Sequence, residues 1–256
     1  MHEQIKNYYE KYDEDGRLFR DNAHQVEYLT TIKYFNDLFL PGSYILDACA
    51  GTGRYSFYLA DKGHFVTACD LVERNVNIIK AKPNADRLAN IAVCDVLDLS
   101  QFSDDSFDVV LCMGALYHFR TNDLRKKAIL ECARVCKPGG LVALAYITKV
   151  GAILAKINKD AGNMDVDGLI NVINDTDERG PFFCAVPSEI NELAVSSGLE
   201  KLRHIGVDGL AYNLANKLNA ASDENFQKYM EYHYATCEDE SIIGTSVHGL
   251  WIGRKL

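Results

Sequence analysis

Two glycines and three carboxylates are spaced as a ligand-binding edge would require. The first group is Ile45-Leu46-Asp47-Ala48-Cys49-Ala50-Gly51-Thr52-Gly53. An apolar run enters two glycines and then a helical pattern. Glycine lets the backbone approach a ligand closely and adopt dihedrals closed to other residues. The helix that follows offers unpaired amide groups at its start. Together these make a nucleotide-type pocket at the switch point of a sheet. Asp47, four residues before Gly51, can meet an ammonium directly or through water, or it can fix the glycine loop. Asp70 follows Gly53 by 17 residues and ends the second apolar run. A carboxylate there accepts two hydrogen bonds from a ribose diol, or it caps a helix. Asp95, in Val93-Cys94-Asp95-Val96, can accept from an adenine amino group while the Val96 amide donates to the ring. The bland alternative for Asp95 is a turn residue.

The elements that must hold these groups follow an alternating pattern. Tyr8 to Phe39 reads as helical, with a break at Asp13–Gly16, and Pro41-Gly42 ends this leader. Strands are expected at Tyr44–Cys49, Phe65–Cys69, Ile91–Cys94, Phe107–Cys112 and Leu141–Ile147. Helices are expected at Gly53–Lys62, Val72–Ala81 and Asn122–Cys136. Strands apolar throughout and alternating with helices argue for a parallel sheet covered on both faces. After Thr148 the rhythm breaks. Val150–Cys184 reads as a helical insertion, and Ser188–Ser197 as a helix capped by Ser188. Leu202–Val207 and Ser246–Ile252 read as the last strands, with helices Leu210–Asn219 and Asp223–Cys237 between them. The expected fold is α/β and Rossmann-like: a seven-stranded, mostly parallel sheet with helices on both faces. It forms a single domain over 1–256, with a helical cap at 1–40 and a cofactor-binding core at 44–148. Helical insertions at 150–184 and 208–240 would form a lid.

The combination of the glycine pair with three acids after three consecutive strands resembles the class I S-adenosylmethionine-dependent methyltransferases. The resemblance spans Tyr44 to Ile147. It includes Phe107-Asp108-Val109-Val110-Leu111-Cys112-Met113-Gly114 and Arg134-Val135-Cys136-Lys137-Pro138-Gly139-Gly140-Leu141. In the second stretch the glycines would permit a tight reversal before a strand. The resemblance implies S-adenosylmethionine as methyl donor. Gly51 and Gly53 would lie at its methionine moiety, Asp70 at the ribose, and Asp95 with Val96 at the adenine; Asp47 and Leu71 are further candidates for cofactor binding. Met113 and Gly114 would lie along the cofactor near the methyl. Leader helices in this family often close over the cofactor. Tyr8, Tyr12 and Arg20 are candidates for that closure, with Arg20 able to pair with a carboxylate; the alternative is an aromatic packing face with an exposed arginine.

Methyl transfer from a sulfonium depends mainly on holding nucleophile and methyl aligned. Gly114-Ala115-Leu116-Tyr117-His118-Phe119 resembles the matching stretch of bacterial small-molecule methyltransferases, which points to a small-molecule acceptor. His118 would take a proton from an oxygen or nitrogen nucleophile, or it is a packing residue. Tyr117 would line the pocket, or it is core. His233, in Tyr232-His233-Tyr234, would reach in from the lid. An Asp/Asn-Pro-Pro-aromatic motif, a Pro-Cys nucleophile and a paired-glutamate loop are all missing after the fourth strand, which counts against nucleic-acid and protein substrates.

The net charge of −9 also disfavours a phosphate backbone as partner. RNA or protein methylation, and binding of the cofactor without turnover, remain as alternatives. A dinucleotide site would want a third glycine where Ser56 stands. The eight cysteines contain no CxxC pair and read as reduced core residues of a cytoplasmic protein. No metal is expected: Cys132 and Cys136 lack two further ligands. The calcium-like Asn163-Met164-Asp165-Val166-Asp167-Gly168 has Asn174 where a bidentate Glu is wanted, and reads as a turn before a helix. The polar start, Met1 to Arg17, carries no signal-peptide pattern, and no apolar stretch is long enough to span a bilayer.

Overall fold

The computed structural model describes residues 2–10, 12, 15–162, 164–175 and 181–256. Two leader helices, α1 (His2–Tyr9) and α2 (Asn22–Leu38), precede the sheet. There follow β1 (Tyr44–Asp47), α3 (Arg54–Asp61), β2 (Phe65–Asp70), α4 (Glu73–Ala81), β3 (Asn90–Val93), β4 (Phe107–Cys112), α5 (Asn122–Val135) and β5 (Cys136–Ile147). The remainder is α6 (Lys149–Lys159), α7 (Val166–Ile173), α8 (Pro187–Val195), β6 (Leu199–Gly206), α9 (Ala215–Asn219), α10 (Asp223–Thr236), α11 (Glu240–Thr245) and β7 (His248–Lys255). The sheet order is β3-β2-β1-β4-β5-β7-β6. β7 runs antiparallel to both its neighbours, while the other pairings are parallel.

Neighbouring residues in the central strands pack on opposite faces. Leu46, Val110 and Trp251 join the cluster with Ile129 of α5 and Ile190 of α8. Ile45, Val109 and Ile252 join the other, with Phe35 of α2 and Leu59 of α3. That two-residue period makes both faces of the sheet apolar. Each large side chain so buried contributes roughly 1.5–3 kcal/mol of transfer free energy. A third cluster joins Ala23 and Val26 of α2 to Leu218, Phe226 and Met230. Residues 208–240 thus pack on the leader helix. No helix among the described residues is long and apolar enough to cross a membrane.

Several local expectations are corrected. Ser188 does not cap α8. Val186 is its N-cap and Pro187 opens the helix, while the Glu189 carboxylate accepts the Val186 N–H at 2.9 Å. Pro at the first helical position costs no hydrogen bond. β5 begins at Cys136. Phe107 pairs with Cys136 and Val109 with Leu141, so Lys137-Pro138-Gly139-Gly140 forms a bulge within the strand. Gly139 adopts φ 76° there. Only Ala215–Asn219 of the expected Leu210–Asn219 helix is helical; the preceding residues form turns. Asp165 caps α7, accepting from the Gly168 N–H at 2.9 Å, which gives this stretch its turn before a helix; Asn163 lies outside the described residues, as do Asp13 and Glu14 of the expected leader break. The cysteines are not all free. Cys69, at the end of β2, is joined to Cys94, just after β3, by a disulfide.

Candidate active site

The site lies at the carboxyl edge of β1, β2, β3 and β4, where parallel strands end and their loops converge. Gly51 and Gly53 carry φ of 53° and 86°. A side chain at Gly53 would press on the Phe57 ring at 3.0 Å and on Ile79 at 3.1 Å. The loop is therefore closed to larger residues by conformation and by space.

Asp70 clamps this loop. Its Oδ2 accepts the Gly51 N–H at 2.8 Å, and its Oδ1 accepts the Val72 N–H at 2.8 Å and the Asn75 amide at 3.2 Å. Burial raises its pKa against these hydrogen bonds. Asp70, Leu71, Asn75, Asp95, Val96, Met113 and Gly114 line one cleft with Gly51 and Thr52. The Asn75 Oδ1 is buried there without a hydrogen-bond partner. Asp95 accepts the Leu97 N–H at 2.9 Å, and His2 Nε2 of the leader lies 3.3 Å from its other oxygen. Asp47 and Gly53 stand behind the cleft rather than in its wall. The Ser56 hydroxyl donates to Asp47 at 2.6 Å, so the residue in the third-glycine position ties β1 to α3. Burial, reinforced by Asp70, pushes Asp47 up to about 7.

The leader closes the cleft, through residues the sequence did not single out. Asp15 accepts from the Thr52 hydroxyl at 2.9 Å and from Lys82 Nζ at 2.5 Å. Arg54 donates to the Asp15 carbonyl, and Arg74 to the Tyr9 carbonyl, each at 2.9 Å. Burial opposes ionisation of Asp15, but Lys82, Thr52 and Arg54 outweigh it and hold the pKa below the usual range. Ile5, Tyr9, Arg17 and Leu18 complete the wall. The arginine that meets a carboxylate is Arg17, which forks onto Glu27 at 2.7 and 2.8 Å. Arg20, which follows the turn at Arg17–Phe19, is exposed and lines neither cavity. Two arginines three residues apart give no spacing rule that would choose between them.

His118 and Tyr117 also line the cleft, beside Gly114. His118 Nδ1 lies 2.8 Å from the Pro181 carbonyl. A carbonyl only accepts, so Nδ1 carries the proton and Nε2 accepts, at 3.2 Å from the Tyr9 hydroxyl. Burial pushes His118 down to about 4, so the ring is neutral near pH 7. His233 does not reach the site. It is 1% exposed, packed between α10 and α2 with Nε2 2.9 Å from the Thr30 hydroxyl.

A second cavity, of about 260 Å³, adjoins the first and shares Tyr9, Arg17 and Tyr117 with it. Tyr8 and Tyr12 lie here, stacked at 5.3 Å. At its margin, Glu27, Asp208 and His248 bring ligand-type atoms within 4.8 Å of one another, the one such group among the described residues. The Arg17 fork and the His248 ring already occupy these carboxylates.

A glycine loop clamped by the carboxylate that ends β2, with a further carboxylate just after β3, defines an α/β protein built to bind a nucleoside-bearing cofactor. The chain carries a methyltransferase domain. Residues 46–144 match the methyltransferase domain family, and that family uses S-adenosylmethionine as methyl donor. The chain is 36% identical over 141 residues to the human protein named "Probable tRNA methyltransferase 9B", a match over 50% of this chain and 29% of the human one. It is 27% identical over 198 residues to the ubiquinone biosynthesis O-methyltransferase of Coxiella burnetii, covering 75% of this chain and 78% of that one. In fold it is similar to a Haloferax volcanii methyltransferase solved in complex with a methyltransferase activator. That likeness has a TM-score of 0.63 and 19% identity, over 98% of this chain and 97% of that one.

Proposed function

We propose that the protein transfers a methyl group from S-adenosylmethionine to a small-molecule acceptor. The observation that carries this reading is the shared wall of the two cavities: Tyr9, Arg17 and Tyr117 border both. A cofactor in the first would thus face an acceptor in the second. The buried Asn75 Oδ1 and the Asp70 carboxylate offer acceptors to a ribose diol, and Asp95 with Val96 suits an adenine edge. When bound, the cofactor supplies a methyl on a cationic sulfur, open to in-line attack. Asp47 and Gly53 act from behind, by fixing the loop. Tyr12 shapes the acceptor side. Tyr117 borders the junction, and His118 presents a neutral Nε2 toward it. That nitrogen can receive a proton from the acceptor once the Tyr9 hydroxyl turns aside. The aromatic walls exclude water and align the nucleophile.

A second reading, methylation of tRNA, draws on the 36% identity to proteins named for that activity. The net charge of −9 weighs against it. Incubation with methyl-labelled cofactor and either bulk tRNA or a small-metabolite fraction separates the two. Label in the metabolites is expected; label in tRNA alone would favour the second reading.

A further inference from the structure

We propose that the aromatic cavity takes a small planar acceptor bearing a carboxylate, and that His24 and His248 read that carboxylate. This rests on the methyl-transfer reading of the adjoining cleft.

The walls are flat rings. Phe182 meets Tyr8 edge-on at 5.0 Å, and Tyr212 packs against His24 at 5.2 Å and His248 at 5.9 Å. Such walls favour an aromatic or otherwise planar guest. The cavity's size of about 260 Å³ suits a small ring system.

The charged groups are sorted by side. Arg17, His24 and His248 line the cavity, and no carboxylate does among the described residues. The carboxylates stand behind them. Asp21 lies 2.7 Å from His24 Nδ1, Asp208 lies 2.6 Å from His248 Nδ1, and Glu27 takes the Arg17 fork. A carboxylate accepts, so both Nδ1 atoms carry protons. Each Nδ1 is committed to its carboxylate, which leaves Nε2 as the nitrogen a guest can meet.

The His248 ring cannot easily swing. Asp208 is fully buried and also takes the Ser246 hydroxyl, the Val247 N–H at 2.8 Å and the His248 N–H at 3.1 Å. The groups facing His248 are Glu27 and His24 from α2, Arg17 from the leader, and Asp208 and Tyr212 from the segment after β6. Burial and Arg17 disfavour its charged form, but Glu27 and Asp208 outweigh them and raise its pKa. Protonation turns Nε2 into a donor, and a donor aimed into an aromatic slot selects an anion.

The test is calorimetric titration of the protein saturated with S-adenosylhomocysteine. The probes are benzoate, benzylamine and benzyl alcohol, each at pH 6 and pH 9. Benzoate is expected to bind best, with affinity falling about tenfold at the higher pH as the imidazolium is lost. His248→Gln and, separately, His24→Gln are each expected to weaken benzoate about tenfold and to leave S-adenosylhomocysteine affinity unchanged. His24 is only partly buried on α2, so its variant tests the idea even if His248→Gln does not fold. Preference for benzylamine, benzoate binding that ignores pH and both histidines, or no probe binding to the loaded protein would each overturn the proposal. Failure of S-adenosylhomocysteine itself to bind would overturn the cofactor reading, and this proposal with it.

Discussion

Asp70 Oδ2 accepts the backbone N–H of Gly51 at 2.8 Å, so the end of β2 holds the loop that follows β1. One carboxylate thereby sets the loop and faces the cleft. Asp70→Asn replaces an acceptor oxygen with a donor nitrogen, which must face either the Gly51 or the Val72 amide. A charge-assisted hydrogen bond contributes about 1.5–3 kcal/mol, so S-adenosylhomocysteine affinity is expected to fall about tenfold or more. Calorimetry on the variant checks this; unchanged affinity would remove Asp70 from the cofactor site.

The leader is pinned to the same loop through Asp15 and Thr52. Asp15 is about half exposed, so water screens its ion pair with Lys82. Asp15→Ala is expected to weaken cofactor binding about threefold to tenfold through faster release, with little change in thermal stability. Stopped-flow displacement measures that rate. An unchanged rate would show that the leader does not gate the cleft.

Glu27 stands at about 2 against an ordinary 4.5: burial opposes its charge, but Arg17 and His248 outweigh it. Its contribution is present above pH 4.5 and lost as pH falls toward 2. At about 1.4 kcal/mol per unit it amounts to roughly 3 kcal/mol. His248 has the opposite sign. Its raised pKa gives stability that is full below 6.5 and lost as pH rises through the folded value. Urea unfolding across pH should therefore show a maximum between about 4.5 and 6.5 from this pair. Glu27→Gln is expected to cost about 3–5 kcal/mol at pH 6, because it leaves Arg17 uncompensated, and to flatten the acid limb. An unaltered acid limb would contradict this.

Cys69 and Cys94 are bonded and the other six cysteines are free. Alkylation of the denatured, unreduced protein should label six thiols, and eight after reduction. Eight labels without reduction would show that the strand ends carrying Asp70 and Asp95 are joined by packing alone.

The first cleft was legible because its parts are local. Gly51, Asp70 and Asp95 each follow a short apolar strand, and strand ends in a parallel sheet converge of necessity. The adjoining cavity was legible only in Tyr8, Tyr12 and Tyr117. Arg17, His24, Tyr212 and His248 come from segments up to 231 positions apart in the chain, and no periodicity brings them together. Residues 208–240 pack Phe226 and Met230 on α2, a tertiary choice invisible to composition. The disulfide was missed for a similar reason: Cys69 and Cys94 sit in apolar runs that read equally well as core. Ser188 failed as a cap because Pro187 starts the helix a residue earlier and Glu189 supplies the acceptor.

The central claim is that this cleft binds S-adenosylmethionine. Isothermal titration of the purified protein with S-adenosylmethionine, S-adenosylhomocysteine and NAD tests it most directly. Binding of the first two, with none of NAD, is the predicted result. Binding of NAD with neither of the others would contradict it and make the glycine loop a dinucleotide site.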